Sequence, residues 1–201
     1  MKIVNYSLLC EDVAHETFIK DLLPHFINIS GLEINLGFNK DFFYKYKCRN
    51  SKDVLKRYVK ASIDAIDRFE IDLLLIGIDY DDRDRGRFSN EIEKLYSGIV
   101  QKVREKSVIF FPVQAIEHWL LLIQYRYQNP NSTKNVSNDF EKIQRKNAKI
   151  DLYGARRPLK ETQRKIVSEM VNQINIDWLK TRSQSFNRFY SDLNGFFTQS
   201  N

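Results

Sequence analysis

Carboxylate residues follow two apolar segments of the chain. Glu11 comes directly after residues 3–10, and the sequence Asp79-x-Asp81 comes directly after residues 71–78. If the two segments are neighbouring parallel strands, these side chains meet at the carboxyl edge of one sheet. Carboxylate oxygens are ligands that Mg²⁺ and Mn²⁺ prefer, and gathered carboxylates are costly unless a cation neutralises them. We therefore predict that Glu11, Asp79 and Asp81 bind Mg²⁺ (or Mn²⁺).

The acidic residues also have a simpler interpretation. Aspartate is common just after strands, where it forms turns or caps helices. Asp82 and Asp84 alternate with Arg83 and Arg85, a pattern typical of a solvated, salt-bridged turn. The second acidic strand end, at Glu11, is what favours a metal site over a turn.

Four apolar segments alternate with helical patterns and must position these residues. Strands are predicted over residues 3–10, 32–38, 71–78 and 107–113, and helices over 14–28, 52–69, 89–105 and 115–127. Ser51 is available as the N-cap of the second helix. Residues 41–49 extend the second strand, form a loop or pair as a hairpin, and the pattern does not choose among them. The alternation predicts an α/β fold over residues 1–127, with a mainly parallel, Rossmann-like four-stranded sheet and helices on both faces.

The remainder, residues 128–201, has a different composition. Residues 128–151 are polar and then basic, which is typical of a loop. Two short helices are predicted over residues 158–173 and 183–197. Neither has enough apolar surface to fold alone, so we expect a helical appendage packed on the first part.

Composition limits the class of protein. The chain has 201 residues, 42% of them hydrophobic, and a net charge of +6, which permits a nucleic-acid partner without requiring one. Its two cysteines, Cys10 and Cys48, have no metal-ligand spacing. No apolar run is long enough to span a membrane and no signal peptide is recognisable, so we expect a cytoplasmic protein.

Three segments resemble the Toprim family. They are LLCEDVAHETFIKDLL, LLLIGIDYDD and PVQAIEHWLL, and they look most like small bacterial Toprim-like proteins linked to phage defence, related to the overcoming-lysogenization-defect nucleases and ribonuclease M5. The resemblance covers about residues 3–113, and the tail sequence Ser185-Phe186-x-x-Phe189 is also similar. It implies Mg²⁺-dependent phosphodiester chemistry in a Toprim-like fold.

On this resemblance, Glu11 matches the family's glutamate, a general acid/base or metal ligand, and Asp79 and Asp81 match its metal-binding pair. One position departs from the pattern: many family members have glycine after the glutamate, where this chain has Asp12. That change could alter the turn, add a ligand, or mean that the site no longer cleaves.

Other residues are candidates for supporting roles. Predicted neighbours of the metal site are Asp12, Glu16, Asp82 and Glu117, and predicted phosphate-binding residues are Arg83, Arg85, Arg87, Lys146, Arg156 and Arg157. Each has an alternative: helix N-terminal acids interact with the helix dipole, and charge runs are often solvated faces. His15 either orients a phosphate or water, or is a helix surface group.

The leading hypothesis is a metal-dependent nuclease with a nucleic-acid partner, with phage defence as a possible role. A non-catalytic binding module for nucleic acid or a protein partner and a small-phosphate phosphatase are the alternatives, since a fold does not fix a function. The chain has no phosphate-binding Walker A sequence, so any ATPase partner would be a separate chain. The sequence leaves the oligomeric state open.

Overall fold

The computed structural model describes residues 2–80 and 85–199, and only the backbone of residues 85, 86 and 141. The predicted Asp81, Asp82 and Arg83 therefore lie outside the described residues, as does the side chain of Arg85.

The α/β fold predicted from the sequence is confirmed. Four parallel strands form one sheet in the order β2-β1-β3-β4. The strands are β1 (Lys2–Cys10), β2 (Ile34–Phe38), β3 (Leu73–Gly77) and β4 (Ser107–Phe110). The helices of the first part are α1 (Val13–Ile29), α2 (Lys40–Lys45), α3 (Ser51–Asp67), α4 (Arg85–Ser97), α5 (Gln101–Arg104) and α6 (Ile116–Gln128). The helices that follow are α7 (Ser137–Glu141), α8 (Arg145–Tyr153), α9 (Lys160–Asn172), α10 (Ile176–Arg182) and α11 (Gln184–Gln199).

Three local predictions need correction. None of the three alternatives for residues 41–49 describes the whole segment. Its first half belongs to a helix, α2 (Lys40–Lys45), whose N-cap is Asn39. The single helix predicted over residues 89–105 is two helices, α4 and α5. The polar segment 128–151 contains α7 and most of α8.

The central strands are buried on both faces, as their continuous apolar sequences require. Alternate residues enter two separate cores, so that Leu8 and Leu9 point to opposite sides of the sheet. The core on one face is built around Phe18, Phe26, Phe110, Trp119, Phe186 and Phe189. The core on the other face is built around Phe42, Leu74, Ile76, Phe88 and Ile109.

The C-terminal helices pack on the first of these cores. Helix α9 lies along α1, α8 lies on α6, and α11 covers β4. The tail sequence that includes Ser185 is anchored by α6: Trp119 donates its indole N–H to the Ser185 hydroxyl at 2.9 Å and contacts the rings of Phe186 and Phe189. None of the helices in the described part of the chain has the length and apolar character needed to cross a bilayer.

Parallel pairing of β1 with β3 sets the position of the acidic residues. Cys10, the last residue of β1, is opposite Gly77, the last residue of β3. Both strands therefore end at the same edge of the sheet. Glu11 follows Cys10 by one position, and Asp79 follows Gly77 by two.

Gly77 is required at the end of β3 by close packing, and its replacement provides a test of the fold. A Cβ atom at this position would overlap the ring of Phe110 on β4. We expect Gly77→Ala to lower the free energy of unfolding by about 2–3 kcal/mol, the usual cost of overpacking a core. Urea denaturation measures this loss.

Gly195 in α11 provides the matched control. A Cβ there meets no atom within 4 Å, so Gly195→Ala should raise stability by about 0.5–1 kcal/mol through helix propensity. Equal effects of the two substitutions would contradict the packing of β3 against Phe110.

Candidate metal site

Glu11 and Asp79 lie side by side at the carboxyl edge of the sheet. The backbone N–H of Asp79 donates a hydrogen bond of 2.8 Å to Glu11 Oε1, and both residues are only 4% exposed. Ser51 donates its hydroxyl to Glu11 Oε2 at 3.0 Å. Ser51 is therefore not the N-cap of α3, because the side chain of Asn50 has that role.

The amino terminus of α6 stabilises the Asp79 carboxylate. The N-cap residue of this helix, Ala115, has no side chain that accepts a hydrogen bond. Asp79 Oδ1 instead accepts the N–H of Ile116 at 3.0 Å. A carboxylate at a helix N-terminus is favoured by the unpaired N–H groups and the helix dipole.

His15 is a member of the site and is not on the surface of α1. It is fully buried, and its Nε2 atom lies 3.0 Å from Asp79 Oδ1 and 3.9 Å from Glu11 Oε1. Its Nδ1 atom lies 3.0 Å from Asp12 Oδ1, which can only accept, so the ring donates from Nδ1. The alternative in which His15 is a helix surface group is wrong.

Asp12 has two functions at this position. Its Oδ1 atom accepts the N–H groups of Ala14 and His15, which makes it the N-cap of α1. The same oxygen accepts from the His15 ring. A carboxylate that orients a histidine in this way is the usual partner of a metal-ligating histidine. Asp12 therefore caps the helix that follows β1 and holds the ring of His15.

The geometry of this group fits a metal ion. One ligand atom each from Glu11, His15 and Asp79 lie within 4.8 Å of one another. Two of the buried atoms have a partner of opposite charge within the chain: His15 Nε2 lies 3.0 Å from Asp79 Oδ1, and Asp79 Oδ2 lies 2.6 Å from a guanidinium nitrogen of Arg145. Two carboxylates and one imidazole form a donor set that divalent metals accept. We conclude that the buried Glu11–His15–Asp79 group could hold a metal ion.

Helix α8 brings two cations to the same carboxylates. Arg145 Nη2 lies 2.6 Å from Asp79 Oδ2 and 3.5 Å from Glu11 Oε2. Lys149, one turn along the helix, lies 3.7 Å from Asp12 and 3.4 Å from Glu117. The guanidinium thus lies where a metal ligated by Asp79 Oδ2 and Glu11 would place its charge.

Burial and the neighbouring charges shift the pKa values of the three residues in this group. Burial raises the pKa of Asp79 to about 7, despite the attraction of His15 and Arg145. Burial alone would lower the pKa of His15, but Asp79 and Asp12 outweigh it and raise that pKa above its usual range. For Glu11, His15 and Arg145 outweigh the effect of burial and hold the pKa below its ordinary value. A metal ion bound by His15 and Asp79 would displace the protons that these two groups carry.

The other predicted acidic residues are placed differently. Glu117 is fully buried beside the site, and neither of its carboxylate oxygens makes a hydrogen bond in the described structure. The Tyr153 hydroxyl faces it, and burial followed by the charge of Glu117 raises the pKa of Tyr153. Glu16 is not a member of the metal group and pairs with Lys20 at 2.7 Å.

The predicted phosphate-binding residues do not gather at one place. Arg87 lines a cavity of about 650 Å³ that also contains Asp79 and Ser51. Lys146 and Arg156 instead border a separate shallow cavity on the outer side of α8. Arg157 is exposed.

A second cavity opens on the other side of Glu11. Its volume is about 600 Å³, and Glu11 and Asp12 form part of its wall. The metal group therefore lies between two cavities, each large enough for part of a small organic ligand.

Sequence reasoning missed three residues of this site as members: His15, Arg145 and Lys149. For His15 a signal exists, because Glu11 and His15 are four apart and Asp12 is a helix-capping residue type. Arg145 and Lys149 are also four residues apart, but nothing in the sequence shows that they face the end of the sheet.

Comparisons with protein-family models, with curated proteins and with solved structures find no match for this chain.

Asp12 allows a test of how His15 is oriented. Asp12→Ser keeps an N-cap acceptor for α1 but removes the carboxylate that holds the ring. We expect the affinity for Mn²⁺, used as the probe ion, to fall by about 10–100-fold. Isothermal titration calorimetry measures it, and Mn²⁺ binding as tight as in the wild type would contradict the orienting role.

Arg145 allows a test of competition between the guanidinium and a metal. In EDTA, Arg145→Gln should lower the free energy of unfolding by about 1–3 kcal/mol, because the buried Asp79 Oδ2 loses its guanidinium partner while His15 and Ile116 still contact Oδ1. Mn²⁺ should then stabilise the variant more than the wild type, since no guanidinium has to be displaced.

The control for this measurement is Lys102→Gln, which removes an exposed pair with Asp67 at 3.2 Å. Such surface pairs contribute at most about 1 kcal/mol, so stability should change little. An equal gain from Mn²⁺ in wild type and Arg145→Gln would show that the two cations do not compete.

Proposed function

We propose that this protein is a metal-dependent nuclease or related phosphodiester-processing enzyme of the Toprim-like kind, acting on nucleic acid. The observation that carries the proposal is the buried Glu11–His15–Asp79 group at the carboxyl edge of a parallel sheet, the usual location of ligand sites in such folds. The cations of α8 beside it supply a second element that phosphate chemistry needs.

The donor set bears on the metal. Magnesium prefers oxygen ligands alone, whereas manganese accepts carboxylate oxygens and tolerates an imidazole nitrogen. We therefore propose Mn²⁺ as the better cofactor of the two expected from the sequence, with Mg²⁺ as the weaker one. A bound ion would supply positive charge and a water of lowered pKa.

The chain's own residues have distinct roles in this proposal. Glu11 is ionised, because His15 and Arg145 hold its pKa below the ordinary value, and its carboxylate would be a ligand of the metal ion. Arg145, once displaced from Asp79, binds the phosphate oxygens, because a guanidinium matches them in a bidentate manner. Lys149 keeps Asp12 and Glu117 neutralised while Arg145 moves.

A non-catalytic binding module is the second candidate, and one observation favours it. Arg145 and His15 already neutralise Asp79 within the chain, at 2.6 and 3.0 Å. If they are permanent counter-ions, the site has no place for a metal ion. The predicted phosphate-binding residues Lys146, Arg156 and Arg157 would then bind nucleic acid without cleaving it.

Cleavage assays decide between these candidates. Labelled DNA and RNA, each single- and double-stranded, are incubated with Mn²⁺, Mg²⁺ or EDTA. The wild type should cleave at least one substrate with Mn²⁺ and none with EDTA. Glu11→Gln and Asp79→Asn should lower the rate by about 10²–10⁴-fold, the usual contribution of a proton-transfer or ligand group.

Glu33→Gln, a change at an exposed carboxylate before β2, is the matched control and should keep full activity. Binding is measured in parallel, since both site variants should still bind nucleic acid. Binding without metal-dependent cleavage in the wild type would sink the nuclease proposal and favour the binding module.

A further inference from the structure

The cavity of about 600 Å³ beside Glu11, here called the side cavity, has features that the metal chemistry does not explain. It lies between the end of β1, the segment after α2 and the start of α9. Its lining residues are Leu8, Cys10, Glu11, Asp12, Val13, Glu16, Phe43, Tyr46, Lys47, Cys48, Arg49, Lys160, Gln163 and Arg164.

The inner wall of the side cavity is largely apolar. Phe43 and Tyr46 contribute aromatic rings, and both are buried at 9% and 8% exposure. Leu8, Cys10 and Cys48 complete this wall. A flat, uncharged aromatic group is the kind of ligand that such a surface binds, and a nucleobase is one.

The rim of the side cavity is cationic. It carries Lys47, Arg49, Lys160 and Arg164, all of which are exposed. Two of these residues come from the segment between α2 and α3, and two come from α9. The rim therefore forms only because α9 packs against α1. The acidic rim residue Glu16 pairs with Lys20 at 2.7 Å and lies 4.0 Å from Arg164. A rim of this kind attracts phosphates.

We propose that the side cavity receives one unpaired nucleotide of a single-stranded nucleic acid, its base against Phe43 and Tyr46 and its phosphates along the rim. This inference rests on the proposed function and narrows its substrate class. The opening beside Glu11 and Asp12 places the next phosphodiester at the metal group. A base held in a duplex cannot enter a cavity without unpairing and leaving the stack, which selects single strands.

Binding measured in EDTA tests this inference apart from catalysis. Fluorescence anisotropy compares a labelled single-stranded DNA, the single-stranded RNA of the same sequence and the DNA duplex. The wild type should bind a single strand more tightly than the duplex, and the DNA and RNA arms show which sugar is preferred.

Two variants locate the binding. The double variant Lys160→Gln with Arg164→Gln should weaken single-strand binding and reduce the slope of log affinity against log salt by about 1.4, or about 0.7 for each phosphate that is no longer neutralised. Val13→Trp, which fills the cavity without changing charge, should weaken binding between about fivefold and a hundredfold, the effect of removing one stacked base.

The matched control is Lys60→Gln with Arg68→Gln, which removes the same charge from the exposed surface at the end of α3, outside both cavities. It should leave single-strand affinity and salt slope unchanged. Equal effects of the two double variants, or a duplex bound as tightly as a single strand, would overturn the inference. If Val13→Trp does not fold, the comparison of the two double variants and the comparison of duplex with single strand still test the inference.

The outcomes separate this inference from the proposed function. Specific single-strand binding that depends on Lys160 and Arg164, without cleavage in Mn²⁺, would support the side cavity and reject the nuclease. Cleavage in Mn²⁺ that is equal for duplex and single strand, and unaffected by Val13→Trp, would support the nuclease and reject the role of the side cavity.

Discussion

Charge compensation among buried acids is the constraint on which the structure of this protein depends. Parallel pairing of β1 and β3 brings Glu11 and Asp79 together, and the N-terminal ends of α1 and α6 add Asp12 and Glu117. Ionised carboxylates so close together and so far from water are costly without cations. The chain supplies three positive partners from α1 and α8: His15, Arg145 and Lys149. In our account a metal ion takes over part of that role when it binds.

The same constraint explains why the C-terminal helices are part of the functional unit. Helix α8 places Ala148, Leu152 and Tyr153 in the core, and its cations Arg145 and Lys149 pair with the acids at the sheet edge. Helix α9 packs along α1 and contributes to the rim of the side cavity. The core that anchors α11 through Trp119 fixes the start of α6, whose N–H groups bind Asp79. Fold and site are therefore built from both parts of the chain.

The sheet could be predicted from the sequence because buried parallel strands are continuous apolar runs, and β3 is the clearest of them. The meeting of Glu11 with Asp79 followed from the carboxyl-edge rule for parallel sheets. The sequence left the role of His15 open: its spacing from Glu11 is a signal, but the period of α1 does not show which way the first turn of the helix faces. Helix α8 was missed because its buried face consists only of Ala148, Leu152 and Tyr153 within a polar and basic segment. Asp81 lies outside the described residues, so its expected place beside Asp79 stays a prediction.

The most direct test of the central claim is a crystal structure of the protein soaked in Mn²⁺, with anomalous diffraction used to locate the ion. Our account predicts one strong anomalous peak within coordination distance of Glu11, His15 and Asp79, with the Arg145 guanidinium moved away from Asp79 Oδ2. A structure without an anomalous peak there, and with Arg145 still paired to Asp79 at saturating Mn²⁺, would contradict it.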